Sequence, residues 1–199
     1  MIETPNALLY KPKIEEYNLS VIACFCISDD WNEQSLLKLK EKTDAYFLVG
    51  IQTPDSELVS FDIVEGIVEC QSEDVSQVVK LLNISQRGLI GIDVNDIKNL
   101  FERSRSYKFI QTHITDEFET DMVKTTSHEL VDQLPKGLNV EGLLVGMESS
   151  ESLSINHTSY IIDFLEKSIV GDELYKYYCT SISDEANSFR LRMIYAEAH

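Results

Sequence analysis

The sequence is poor in glycine, and it lacks the short motifs of the common nucleotide-binding and hydrolytic enzymes. Only eight glycines occur in 199 residues, and the patterns GxGxxG, GxxxxGK[ST], GxSxG and HExxH are all missing. Without a glycine-rich turn at a helix start, no obvious nest of backbone N–H groups is available for a nucleotide phosphate. We therefore expect no cofactor.

Basic residues and long apolar runs are also scarce. Seventeen Lys and Arg stand against 34 Asp and Glu, which gives a net charge of -17 and excludes nucleic acid as a natural partner. No apolar run approaches the roughly 20 residues of a membrane-spanning helix. The first residues carry acids where an export signal carries bases. These features predict a soluble, cytoplasmic protein that binds no membrane.

Cysteine and histidine are too few and too scattered for a metal site. The four cysteines include no CxxC pair, and the four histidines lie far apart in sequence. Cys24 and Cys26 are two residues apart in an apolar run, which places them on one face of a strand. We expect four buried, reduced thiols and no bound metal.

The first half of the chain predicts an α/β unit. The apolar runs Leu19–Ser28 and Ala45–Gln52 are typical of buried strands, and the segment between them favours a helix. This order predicts one parallel crossover. Pro54–Cys70 fits a strand or a helix, and a helical pattern begins at Glu73.

The second half predicts a βαβαββ domain with a four-stranded sheet and helices on one face. Strands are expected at Tyr107–Ile114, Val140–Met147, Leu174–Ile182 and Phe189–Ala196, and helices at Asp116–Leu134 and after an N-cap at Asn156. The polar turn SDEANS between the last two strands is typical of a hairpin.

One acidic cluster has two interpretations. Asp93 and Asp96 lie one turn apart at a predicted helix start, in GLIGIDVNDIKN. Two such carboxylates are able to hold a water or a cation beside a partner's phosphate. They are equally able to cap the helix and complement its dipole, and on the residues alone capping is the simpler interpretation.

The same segment carries a family resemblance. GLIGIDVNDIKNLFERS resembles the loop and following helix that join the two domains of FtsZ and tubulin, where the family has Gly-Leu-Ile-Asn-Val-Asp-Phe-Ala-Asp. The matching residues are Gly88, Leu89, Ile90, Asp93 and Asp96, and Gly91 stands in place of the family's asparagine. From Gly88 to Ala198 the order of elements is similar to the C-terminal domain of bacterial FtsZ.

The resemblance implies a division of the chain at residue 87. Residues 1–87 would be a remnant of the nucleotide-binding domain, with a truncated layer of two parallel strands and a long central helix. Residues 88–199 would be the C-terminal domain with its acidic connecting loop. The family's glycine-rich signature, Gly-Gly-Gly-Thr-Gly-Ser/Thr-Gly, has no counterpart in the sequence.

The resemblance also implies a function. In the family, GTP lies in one subunit and the acidic loop of the next subunit completes the site. A chain with the loop and no pocket would not hydrolyse GTP alone, and Gly91 puts the loop's catalytic competence in doubt. Asp93 and Asp96 would be the remnant of the catalytic loop. The expected interface residues are Gly88, Leu89, Ile90, Gly91, Asp93, Asn95 and Asp96.

Three functions remain open from the sequence. The first is a pseudo-GTPase of bacterial cell division that caps or modulates FtsZ filaments, with full-length FtsZ or a second copy as partner. The second is an interaction scaffold unrelated to division. The third is residual GTP binding or hydrolysis completed by a partner, which binding of labelled GTP to the isolated chain would distinguish.

Overall fold

The computed structural model describes residues 7–13, 16–56, 59, 61–83, 89–115, 121–169 and 175–197. The chain divides into two compact units: unit 1 is Met1–Ile84 with Asp93–Phe109, and unit 2 is Ser85–Ile92 with Ile110–His199. The strands are β1 (Ala7–Tyr10), β2 (Ile22–Cys26), β3 (Phe47–Gln52), β4 (Gly66–Glu69), β5 (Ser106–Thr115), β6 (Val140–Ser149), β7 (Tyr175–Ile182) and β8 (Ser188–Glu197). The helices are α1 (Glu33–Thr43), α2 (Val75–Leu82), α3 (Val94–Phe101), α4 (Met122–Asp132) and α5 (Ile155–Ser168).

Unit 1 is a parallel sheet with a helix packed against it. Strands β1 to β4 pair in chain order, and β4 pairs with the start of β5, all in parallel. Strands β2 and β3 are almost entirely buried, which agrees with their continuous apolar sequences. Helix α1 begins at a capping box in which Asn32 and Ser35 exchange hydrogen bonds of 2.9 Å, and it buries Leu36 and Leu39 in the core.

The elements of unit 1 differ from the prediction in three places. The described residues of unit 1 form four parallel strands before β5, two more than predicted, because the sequence pattern predicts no strand at Ala7–Tyr10 and leaves the segment that contains β4 undecided. The undecided segment Pro54–Cys70 contains strand β4. The long central helix is wrong: a single 3-10 turn at Ser72–Asp74 leads into α2, which has eight residues.

Unit 2 is built around strand β6. This strand pairs with β7 in parallel and with β8 in antiparallel orientation. Alternate residues of β6 and β8 face helices α4 and α5, as the expected one-sided helix layer requires. The residues that form this core are Leu130, Leu143, Val145, Met147, Ile161, Leu165, Leu191 and Met193.

The expected four-stranded C-terminal sheet is wrong. The eight strands form one sheet in the order β1-β2-β3-β4-β5-β8-β6-β7, and β5 contributes residues to both units. The predicted β7–β8 hairpin is also wrong, because β6 lies between the two strands. Helix α5 is capped by Ser154, whose side chain accepts a hydrogen bond from the His157 amide, and not by Asn156. Helix α4 begins at Met122, and residues 116–120 of its predicted range lie outside the described residues.

Candidate functional site

The acidic pair begins helix α3 with a reciprocal cap. Oδ1 of Asp93 accepts hydrogen bonds from the amides of Asn95 (2.7 Å) and Asp96 (3.1 Å). Oδ2 of Asp96 accepts from the Asp93 amide at 2.9 Å. Three of the unpaired N–H groups around the helix start are thereby satisfied, as in a capping box. The capping interpretation of the sequence is confirmed.

Capping leaves half of each carboxylate available. Both bonds to Asp93 use Oδ1 and the bond to Asp96 uses Oδ2, so Asp93 Oδ2 and Asp96 Oδ1 take no part in the cap. Asp93 is exposed and Asp96 is half-buried. The positive end of the helix dipole favours negative charge at this position. The result is two carboxylates held in fixed positions by the backbone, each with an oxygen not engaged in the cap.

The residues just before the helix are anchored within unit 2. The Ile90 amide donates to Oγ1 of Thr180 on β7 at 2.9 Å, and the Thr180 amide donates to the Ile90 carbonyl oxygen at 2.9 Å. Next to this anchor, Leu89 is 57% exposed. The two hydrogen bonds hold this segment at a defined position beside β7. No sequence pattern predicts the anchor, since residues 90 and 180 are far apart in the chain.

Gly91 is not required by the backbone. Its φ lies outside the left-handed region, and a Cβ built there meets no atom within 4 Å. An asparagine, the residue of the resembling family, would therefore fit without strain. Of the other expected interface residues, Asn95 is exposed, and Gly88 lies outside the described residues.

The thiols differ from expectation in their burial. Cys24 and Cys70 are buried, but Cys26 and Cys179 are only half-buried, so the expectation of four buried thiols is wrong for two of them. Burial raises the pKa of the Cys70 thiol to about 12 and that of Cys179 to about 11, which keeps both in the unreactive thiol form near neutral pH.

Neither a three-residue metal centre nor a membrane-spanning helix is present in the part of the chain that the structure describes. No three His, Cys, Asp or Glu side chains there lie close enough together to hold a metal ion. None of the helices of these residues combines the length and the apolar character that crossing a membrane requires.

Comparison with solved structures identifies the fold. A single-substitution mutant of FtsZ from M. jannaschii superposes with a TM-score of 0.63 at 12% identity, over 90% of this chain and 65% of that one. CetZ2 from Haloferax volcanii, in a GTPγS-bound protofilament, gives 0.59 at 10% identity, over 94% and 67%. TubZ of Bacillus thuringiensis serovar israelensis, in GDP-form protofilaments, gives 0.55 at 9% identity, over 92% and 62%.

These similarities are structural only. No protein-family model matches the chain, and no curated protein matches it in sequence. The chain spans 65% and 63% of the length of two FtsZ structures that it matches. At these identities the comparison establishes an architecture only: the fold of this chain is similar to the folds of these FtsZ, CetZ and TubZ structures.

Proposed function

We propose that this protein is a filament-associated member of that structural class, which acts by docking onto an FtsZ-type subunit and not by hydrolysing GTP alone. The acidic loop of Asp93 and Asp96 contacts the nucleotide-binding face of the partner. The partner is a complete FtsZ of the cell-division type or a second copy of this chain. In the same proposal, residues 1–87 correspond to part of the nucleotide-binding domain and residues 88–199 to the C-terminal domain.

The loop geometry is the observation that carries the proposal. Asp93 and Asp96 are exposed or half-exposed, and the cap fixes their carboxylates before any partner arrives. Preorganised groups lose little conformational entropy on binding.

The structural relatives support association as the mode of action. One of the similar FtsZ structures is a dimer, and the CetZ2 and TubZ structures are protofilaments. These assemblies belong to those proteins. They make self-association or co-assembly the first property to test in this one.

The sequence supports the non-catalytic part of the proposal. The 199 residues contain no glycine-rich signature of the FtsZ type. Backbone amides of such a loop form the phosphate cradle in nucleotide-binding proteins. This chain has the acidic loop but no phosphate-binding glycine loop, so in this proposal it supplies at most one half of a GTP site shared between two subunits.

Sedimentation of a complete FtsZ with GTP tests the proposal. An excess of this protein should lower the pelleted polymer mass or shorten the filaments seen by electron microscopy. The variant Asp93→Asn/Asp96→Gln keeps both capping side chains but removes both charges, and it should lose the effect. The control Asp132→Asn/Asp163→Asn removes two exposed charges elsewhere and should keep it. Unchanged polymer mass and length at excess wild-type protein would reject docking onto FtsZ.

A second measurement separates association from residual nucleotide binding. The isolated chain is mixed with fluorescent GTP, and we expect no saturable binding. Saturable binding at micromolar GTP would show that the chain does bind the nucleotide, and it would favour residual GTP binding or hydrolysis completed by a partner.

A further inference from the structure

A cavity of about 530 Å³ lies within unit 1, at the edge of the sheet where β3, β4 and β5 begin. Because these strands are parallel, the residues that precede them lie at the same edge. Tyr46, Glu65 and Arg105 come from these three positions, and Lys98 and Phe101 come from the last turns of α3. We call this cavity the amino-edge pocket. Its volume is within the range of small-ligand sites, about 300–1,000 Å³.

The floor of the amino-edge pocket is aromatic and tightly packed. Phe101 is 4% exposed, with its ring centroid 6.1 Å from that of Phe47 and 4.7 Å from that of Tyr107. Phe101 occupies the space beside Gly66, where a Cβ would lie 2.1 Å from its Cδ1 atom. The floor is therefore fixed in shape, which favours a preformed site.

An exposed aromatic ring stands at the wall of the pocket. Tyr46 is 68% exposed, although it directly precedes a buried strand. The Lys98 ammonium lies 6.0 Å from the centre of its ring. Such a ring offers a planar apolar surface to a ligand at low entropic cost.

The charges of the lining are balanced, although the chain as a whole is acidic. Three basic and three acidic residues line the pocket: Lys98, Arg103, Arg105, Asp62, Glu65 and Glu102. Glu65 forms an ion pair with Lys40, and Glu102 lies 3.6 Å from Lys98. In a chain with a net charge of -17, a lining with as many basic as acidic residues repels an anion less than the average surface does.

Arg105 carries the specific anion-binding group. Its carbonyl oxygen accepts a hydrogen bond from the Ile67 amide at 2.8 Å, which fixes its backbone. Among the described residues its guanidinium forms no hydrogen bond or ion pair, and the residue is exposed. A guanidinium binds a carboxylate through two parallel hydrogen bonds, which a lysine does not reproduce.

We propose that the amino-edge pocket binds a small ligand with a planar aromatic body and one carboxylate. The carboxylate pairs with Arg105, and the ring packs against Tyr46 and the floor formed by Phe101. Neither Asp93 nor Asp96 lines this pocket, so the proposal stands or falls independently of filament association.

Calorimetric titration of the full chain with 2-naphthoate and with its neutral isostere 2-naphthamide tests the proposal. We expect saturable binding of one naphthoate per chain with a Kd below about 1 mM. The amide should bind at least about tenfold more weakly, because it lacks the charge-assisted pair. No saturation with naphthoate, or equal affinity for the two compounds, would overturn the proposal.

Variants locate the binding. Arg105→Gln should weaken naphthoate at least about tenfold and leave the amide unchanged, whereas Tyr46→Ala should weaken both compounds. Lys38→Gln, an exposed charge on α1, is the matched control and should bind like the wild type. Since Arg105 is exposed, its variant should retain the wild-type circular dichroism spectrum. Naphthoate binding that survives Arg105→Gln would contradict the assigned site.

Discussion

The two units differ in what they bury. Among the described residues, the buried strands of unit 1 are apolar, and the close approach of Gly66 to Phe101 sets part of their packing. Unit 2 instead buries an ion pair in its sheet: Arg192 on β8 and Glu148 on β6 are 2% and 4% exposed, with N–O distances of 3.0 and 3.3 Å. Apolar packing stabilises the core of unit 1, whereas a buried ion pair also contributes to the core of unit 2. Unit 1 should therefore be sensitive to changes in side-chain volume, and unit 2 to the loss of one charge.

The largest expected effect is in unit 2. Glu148→Ala leaves the buried Arg192 guanidinium without its carboxylate, and we expect the free energy of unfolding to fall by about 3–5 kcal/mol. Urea unfolding followed by far-UV circular dichroism measures it. The double variant Glu148→Leu/Arg192→Met removes both charges and should recover most of the loss. A double variant as unstable as the single one would show that packing, and not charge, holds this region.

The corresponding test in unit 1 adds side-chain volume to its core. Gly66→Ala places a methyl group against the Phe101 ring and should cost about 1–3 kcal/mol of unfolding free energy. Trp31, the single tryptophan, packs on Phe25 in the core of this unit and reports its unfolding by fluorescence. Gly91→Ala, where no atom lies within 4 Å, is the control and should change stability by less than about 0.5 kcal/mol. A neutral Gly66→Ala would mean that the Phe101 ring moves freely.

The anchor of the acidic loop is weaker than either core. Thr180→Val keeps the shape of the side chain but removes the acceptor of the Ile90 amide, and it should cost about 1 kcal/mol. Hydrogen exchange at the Ile90 amide should accelerate in this variant. The Thr180 amide, which donates to the Ile90 carbonyl oxygen, should lose less protection. Unchanged exchange at Ile90 would show that Thr180 does not anchor the loop.

The smallest effect is a pH dependence in unit 2. Partial burial and the neighbouring Arg190 lower the pKa of His113, although Glu185, 3.0 Å from its Nε2, acts in the opposite direction. The folded state therefore favours neutral His113, while the unfolded chain takes up a proton below about pH 6.5. This residue's contribution to stability is constant above that pH and is lost as the pH falls towards the lowered pKa. The free energy of unfolding of the wild type and of His113→Gln, measured as a function of pH below about 6.5, gives the size of this contribution. Equal pH slopes for the two proteins would contradict the lowered pKa.

Local features of both units were predictable from the sequence, and long-range ones were not. The cap formed by Asp93 and Asp96 depends on residues three apart, and the continuous apolar run that contains β2 predicts a buried strand without any distant partner. In contrast, β1 and β4 have four residues each, too few for a period to be recognised. The insertion of β6 between β7 and β8 depends on pairing partners distant in the chain, and so does the contact of Ile90 with Thr180.

The central claim, that the acidic loop carries the association, is tested most directly by equilibrium binding. Fluorescently labelled protein is titrated with GTP-assembled FtsZ, and its anisotropy is measured. The account predicts saturable binding that is at least about tenfold weaker for Asp93→Asn/Asp96→Gln and unchanged for the control Asp132→Asn/Asp163→Asn. Equal affinity of the loop variant and the wild type would contradict it.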